Sequence, residues 1–453
     1  MLLSHVFLTV LSSHEKNAYD VFLIPSFRVL DLRRFNTTTQ LLFFLFTISM
    51  FTFLFFLPLS ALLVFAAPSY DLTAAIIPPQ PPTPSPTPDS AGFTTRISGD
   101  GKSIIVGGQY YNQFLGAVWI YTLNSSNQWQ QIGQTLLGPS QKSHFGRAVA
   151  LNANGTVAAV GAFGINKVYI YKVNLVTSTI TSVQTLKGTG NFGIDVSFNA
   201  LGTILAIRSK NKGVSPYIYS SNSWVQASSS NLPAPSTGAN SASIALSLDG
   251  TTMIIGSYNV SNVVIYSTSD NGLTWGNMVE LQTPSTSGIF GYSLALSSDG
   301  NVAAVGASGA NAYMYSRTNG NWSTYVSIPL PTGNVTGFGA SVSMNYDGTI
   351  VAVGAPGTND YVGMVFVYHC SNLVCELQAN YTTPTDLLKQ VGSSVSFSRD
   401  GSILAVGAPC GTISAITTII GGNGNVPGNP IGGFLVLEAP VTQFPTTSPT
   451  SIK

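Results

Sequence analysis

Acidic residues offer the first candidates for chemistry. Asp100, Asp249, Asp299, Asp347 and Asp400 each stand directly before a glycine, where a carboxylate could help ligate calcium. A calcium loop needs several hard oxygen ligands at alternating positions. The flanking positions do not supply them: Ser343, Ala295 and Ser396 lie ahead of three of these turns, and Val351, Ala303 and Leu404 lie beyond them. One carboxylate per loop is too few. These aspartates read as turn residues whose side chains bond nearby backbone, and no metal or other cofactor is expected. Hydrolytic chemistry finds no firmer footing. Two histidines lie beyond residue 67, His144 and His369, and a triad or histidine–metal cluster cannot be built from such a separated pair without unusual partners. A carboxylate pair such as Asp360 with Glu376 could in principle serve as acid and base, but nothing in the spacing selects it over solvated loop charges. No glycine-rich phosphate loop occurs in a strand–helix context. No catalytic residue is nominated, and the chain is not expected to be an enzyme.

Charge and cysteine content narrow the partners. Eighteen Lys and Arg against seventeen Asp and Glu give a net charge of +1, which excludes the basic field that nucleic-acid binding requires. At 44% hydrophobic residues the 453-residue chain is too apolar to be disordered. Cys370 and Cys375 enclose four residues, a spacing that fits a local disulfide in an oxidising compartment; Cys410 is left over. Asn-x-Ser/Thr acceptors stand at Asn36, Asn124, Asn154, Asn259, Asn321, Asn334 and Asn380. Asn36 lies on the side expected to be cytoplasmic, which leaves the other six for glycans.

The compartment is set by residues 41–67, a run of 27 residues without a charge. As a helix it would be about 40 Å long against a hydrocarbon core of roughly 30 Å, so it reads as a transmembrane signal anchor or, alternatively, a signal peptide cut after Ala66 or Ala67. Arg28, Arg33 and Arg34 precede it, which keeps residues 1–40 cytoplasmic, or makes them a leader, and sends the rest outward. Residues 68–90 read as a linker, with a polyproline-type spacer over Pro78–Pro88 that holds the folded part off the membrane. A Ser/Thr/Pro-rich tail fills 441–453.

What must position any site is a repeat covering 91–440. Turn glycines at Gly101, Gly155, Gly202, Gly250, Gly300, Gly348 and Gly401 are spaced by 54, 47, 48, 50, 48 and 53 residues. In the sixth copy, Ser341–Asn345 alternates polar and apolar as an inner strand does, and Asp347-Gly348 supplies a hairpin turn. Ile350–Val353 is continuously apolar, Met364–Tyr368 is a third β-rich run, and Glu376–Tyr381 is a weaker fourth. Four short strands per fifty residues, with no helical periodicity, predict an all-β, seven-bladed β-propeller of four-stranded blades behind an N-terminal transmembrane or signal helix. Tyr121, Tyr171, Tyr219, Tyr266, Tyr315 and Tyr368 close the third strands; Trp129, Trp224, Trp275 and Trp322 open the fourth. Such a series could stack carbohydrate, but recurrence in register fits packing between blades. Repeat seven lacks a fourth strand, and residues 70–77 are expected to supply it and close the ring. Arg96, Arg147, Arg208, Arg317 and Arg399 occupy unrelated positions within their repeats.

Repeat six reads Phe338-Gly339, then Asn345-x-Asp347-Gly348, then Val353-Gly354-Ala355-Pro356. This resembles the FG-GAP repeat, the blade unit of integrin α-subunit propellers and of many secreted or surface proteins. Phe-Gly recurs at Phe145-Gly146, Phe192-Gly193 and Phe290-Gly291, and Gly-Ala at Gly161-Ala162, Gly306-Ala307 and Gly407-Ala408. Repeats three and four depart from the pattern, with Ile207-Arg208 and Gly256-Ser257 where Gly-Ala is expected. The resemblance implies adhesion or ligand binding at the cell surface. A second motif, Thr268-x-Asp270-x-Gly272-x-Thr274-Trp275, is similar to the Asp-box hairpin of sialidases, a structural turn in those families. The expectation is therefore a membrane-anchored or secreted module that binds a surface protein or glycan. The alternatives are a secreted glycosidase and a structural surface protein with no specific ligand.

Overall fold

Hairpins closed on the Asn/Asp-Gly turns are the units of the architecture. A computed structural model describes residues 70–79, 90–210, 212–228, 231–233, 243–257, 261–284, 289–309, 311–383, 388–411 and 433–439. In blade six Ser341–Met344 pairs antiparallel with Ile350–Ala355, then Met364–Ser371, then Val374–Tyr381. Gly348 takes a φ of 74° in the first turn, open to a residue without Cβ. Every residue of Ile350–Ala355 is buried, because this strand is covered by a blade on each face. The same order of four antiparallel strands recurs in seven sheets, so the chain is a seven-bladed β-propeller. Blades three and four, whose motifs depart from the pattern, are complete four-stranded sheets.

Contacts between paired glycines explain why the motif recurs. In the second strands, a Cβ on Gly107, Gly161, Gly256, Gly306, Gly354 or Gly407 would lie 2.0–2.2 Å from a carbonyl oxygen of the next blade, that of Gly146, Gly193, Gly291, Gly339, Gly392 or Gly92. Only glycine lets the backbones approach this closely. The seventh interface is the exception, since Arg208 stands at this position in blade three. At the opposite end, the turns are tied into a circle. The backbone N–H groups of Asp100, Ala153, Ala200, Asp249, Ser298, Tyr346 and Arg399 donate to Ala153, Ala200, Leu248, Ser298, Tyr346, Arg399 and Gly99, at 2.7–3.0 Å.

The tyrosine series joins blades. Tyr266, Tyr315 and Tyr368 donate their hydroxyls to the carbonyls of Pro233, Gln282 and Pro329 at the exit of the preceding blade, at 3.0, 2.7 and 2.7 Å. Tyr121 packs on Phe434 of blade seven at 5.2 Å. Tyr219 is the exposed member.

Asp71–Ile76 pairs antiparallel with Gly433–Glu438 and completes blade seven. Tyr70, just ahead of it, is buried and donates its hydroxyl to the Gly401 carbonyl at 2.6 Å. This places part of the 68–90 segment inside the ring. In chain order the proline-rich stretch lies between the outermost strand of blade seven and the innermost of blade one, and its residues 80–89 lie outside the described residues. The hydrophobic run 41–67 and the tail 441–453 lie outside the described residues. Among the described residues no helix is long and apolar enough to cross a membrane.

Candidate functional site

The inner strands present two tiers of side chains to the axis. Five residues before the turn glycines stand Arg96, Ala150, Ser197, Ala245, Ala295, Ser343 and Ser396. The serines bridge blades: Ser197, Ser343 and Ser396 accept from the backbone N–H of Leu246, Phe397 and Ile97, at 3.0, 3.0 and 3.2 Å. Two residues earlier, Ser394 accepts likewise from Thr95 at 2.9 Å. At the equivalent position of blade three stands Asp195. One of its oxygens does the serine's work, accepting from Ile244 at 2.8 Å, and the other accepts from Val196 at 2.9 Å.

Three arginines act on this carboxyl. Arg96 belongs to blade one and faces the axis together with Ala150 of the intervening blade. Its guanidinium donates to the Thr95 carbonyl at 3.0 Å. Arg208 is the cross-strand partner of Asp195 and is fully buried. Among the described residues none of its guanidinium nitrogens has a hydrogen-bond partner. Burial pushes Arg208 down to about 10 and Asp195 draws it back up, so it remains cationic at neutral pH. Burial pushes the Asp195 carboxyl up, opposed by Arg96, the N–H groups of Ile244 and Val196, and Arg147. Arg147 lies at the start of blade two, its guanidinium 4.6 Å over the Phe93 ring. Within their repeats these arginines do occupy unrelated positions, as the spacing indicates. Three blades nevertheless bring Arg96, Arg147 and Arg208 around one acid.

Beside this cluster, on the face that carries the loops between second and third strands, opens a cavity of about 250 Å³ over blades one to three. Phe93, Tyr110 and Phe163 wall it, His144, Arg147 and Lys210 bring positive or titratable nitrogens, and Gln109 and Asn191 bring amides. Its aromatic wall rests on a left-handed turn. Asn112, Gln113 and Phe114 have φ of 47°, 58° and 68°, a conformation that costs each non-glycine residue roughly 1–2 kcal/mol. The turn sets the Phe114 ring 5.2 Å from His144 and its carbonyl 3.1 Å from the His144 N–H. The His144 imidazole stacks on Phe163 at 4.6 Å, and its Nδ1 is buried without a partner among the described residues. Burial, aided by Arg147, lowers its pKa. A second cavity, about 180 Å³, runs along the axis between the inner strands. Arg96 and Arg399 line it and no carboxylate does.

The residues singled out by spacing lie elsewhere. The turn aspartates are engaged locally: Asp347 accepts from the Thr349 N–H at 3.0 Å, and Asp249 from the Thr251 N–H at 2.9 Å. No group of three metal-ligating side chains converges among the described residues. Asp360 sits in a left-handed turn between second and third strands, whereas Glu376 pairs with His369 toward the other end of blade six, roughly 15 Å along the strands. Asp270 is held by Thr274 and Thr268 in a closed outer turn, and the Trp275 indole donates to Gly272 at 3.0 Å. Thr274 above all, with Thr268, lowers the Asp270 carboxyl to about 2. Cys370 and Cys375 are bonded across the third and fourth strands, and Cys410 is free. Asn154, Asn321, Asn334 and Asn380 are exposed and Asn124 is half-buried; Asn259 and Asn36 lie outside the described residues.

No family model matches the chain, and no curated protein does. Among solved structures it is similar to the crystal structure of RRP9 WD40 repeats, at 13% sequence identity and a TM-score of 0.55, over 82% of this chain and 99% of that one. At this identity the likeness bears on the fold alone.

Proposed function

We propose that the protein is a recognition module, displayed at the cell surface or secreted, that binds a protein or glycan ligand at the face over blades one to three. The observation that carries this is the cavity there, where aromatic rings meet Arg147 and Lys210 on loops held by a rigid ring. The six interlocked glycine pairs support reading the blades as FG-GAP units, and the oxidising compartment fits the Cys370–Cys375 bond. Converging arginines are also what a glycosidase would require. Such an enzyme needs a pair of carboxylates, and no carboxylate lines this cavity among the described residues. Probing the full chain, in mild detergent, against arrays of surface proteins and glycans tests the proposal. A specific hit that is lost when Arg147 is replaced by Gln supports it; a blank array from folded protein counts against it.

A further inference from the structure

The charge of this mouth is out of balance with the rest of the molecule. The chain as a whole carries a net charge of +1, yet Arg147 and Lys210 both line this one cavity. Both Asp195 oxygens already accept backbone N–H groups, and no carboxylate lines the cavity. Among the described residues, the side chains of Arg147 and Lys210 make no hydrogen bond or ion pair. The Arg147 guanidinium lies 4.6 Å over the Phe93 ring. A guanidinium edge matches a planar or tetrahedral oxyanion in two parallel hydrogen bonds. His144 also borders the cavity, with its Nδ1 buried. At about 250 Å³ the space suits one sugar-sized unit and falls just short of ordinary drug-sized pockets. Gln109 and Asn191 offer amides to its hydroxyls.

We infer that this cavity seats a single sugar-sized unit bearing an oxyanion, carboxylate or sulfate, with the anion against Arg147 and Lys210. The inference rests on the recognition reading above and names its ligand. Isolated acidic units bind weakly, and a surface bearing many of them gains by repetition.

Calorimetric titration of the full chain in mild detergent with glucuronate, glucose 6-sulfate and glucose tests this. We expect one of the two anions to bind with Kd of about 0.1–1 mM, and glucose at least about tenfold more weakly. The stronger anion identifies the source as carboxylate or sulfate. Raising salt from about 0.05 to about 0.5 M should weaken the anion several-fold. Arg147→Gln should weaken it about tenfold or more with its melting temperature held, and Arg147→Lys, which keeps the charge and loses the fork, should fall between. Glucose bound as tightly as the anions, no binding of either anion, or an Arg147→Gln protein that binds normally would each overturn the inference. An array hit unaffected by Arg147→Gln would do the same, yet leave recognition standing elsewhere on the molecule; a blank array would remove recognition itself.

Discussion

At the residue scale the decisive contrast is between two kinds of aspartate. Asp347 serves only its own turn, so Asp347→Asn, which keeps the turn geometry, should cost less than about 1 kcal/mol. Asp195 accepts from two blades and balances three arginines, one of them fully buried. Asp195→Asn should therefore cost about 2–4 kcal/mol, read as a lowered denaturant midpoint at unchanged slope. His144 adds a pH signature. Its pKa in the folded state lies below the unfolded value of about 6.5, so the unfolded chain binds the proton more readily. The stability it contributes is fully present above that unfolded value and is lost as the pH falls through the lowered one. His144→Asn, which tolerates the φ of 52° at this position, should flatten that part of the profile; an unchanged slope would mean that another group causes it. The turn aspartates were legible because their chemistry is local. Asp195 was not, because its meaning lies largely in neighbours from other repeats, Arg96 and Arg147 before it and Ile244 after it. A signal did exist: Asp195 and Arg208 stand where other repeats have small residues, and such departures from a repeat mark a site as well as a weak blade.

For single elements, the second strands make the firmest statement. Gly354→Ala would drive a Cβ to 2.0 Å from the Gly392 carbonyl, a backbone atom held by its own blade. The interface must open, at a cost of about 2–4 kcal/mol. Gly309→Ala, with open space around its Cβ, suffers only the strain of its positive φ and should cost less; equal losses would show that interface packing is not what the second-strand glycine serves. Strands and turns were readable from alternation and the Asn/Asp-Gly signals, and blade six matches the reading to within a few residues. The left-handed turn at Asn112–Phe114 was not readable, since neither periodicity nor composition marks three consecutive residues of positive φ. Its place beside His144 is consistent with strain kept where a site needs it.

Considered whole, the molecule is a ring with one seam. Six blades are built from contiguous chain, and the seventh joins Asp71–Ile76 to strands more than three hundred residues later. Deleting 70–77 leaves Gly433–Glu438 as an unpaired edge and should lower the melting temperature by about 10 °C or more. Supplying the segment as a peptide should restore part of the loss, and a truncated chain that melts normally would show that the seam does not stabilise the ring. Seven blades were legible from turn spacing alone. Which blades would jointly build a site was not, because the charges come from three repeats and meet only once the circle is closed.

The seam also decides how the molecule responds to being pulled. Tension transmitted along the chain ahead of Tyr70 arrives at one end of the closing strand, where Asp71 faces Glu438, and the tyrosine's grip on Gly401 is the first thing it meets. Past that latch the pairs with Gly433–Glu438 are the next contacts under load, so the seam is the part of the propeller that such tension would reach first.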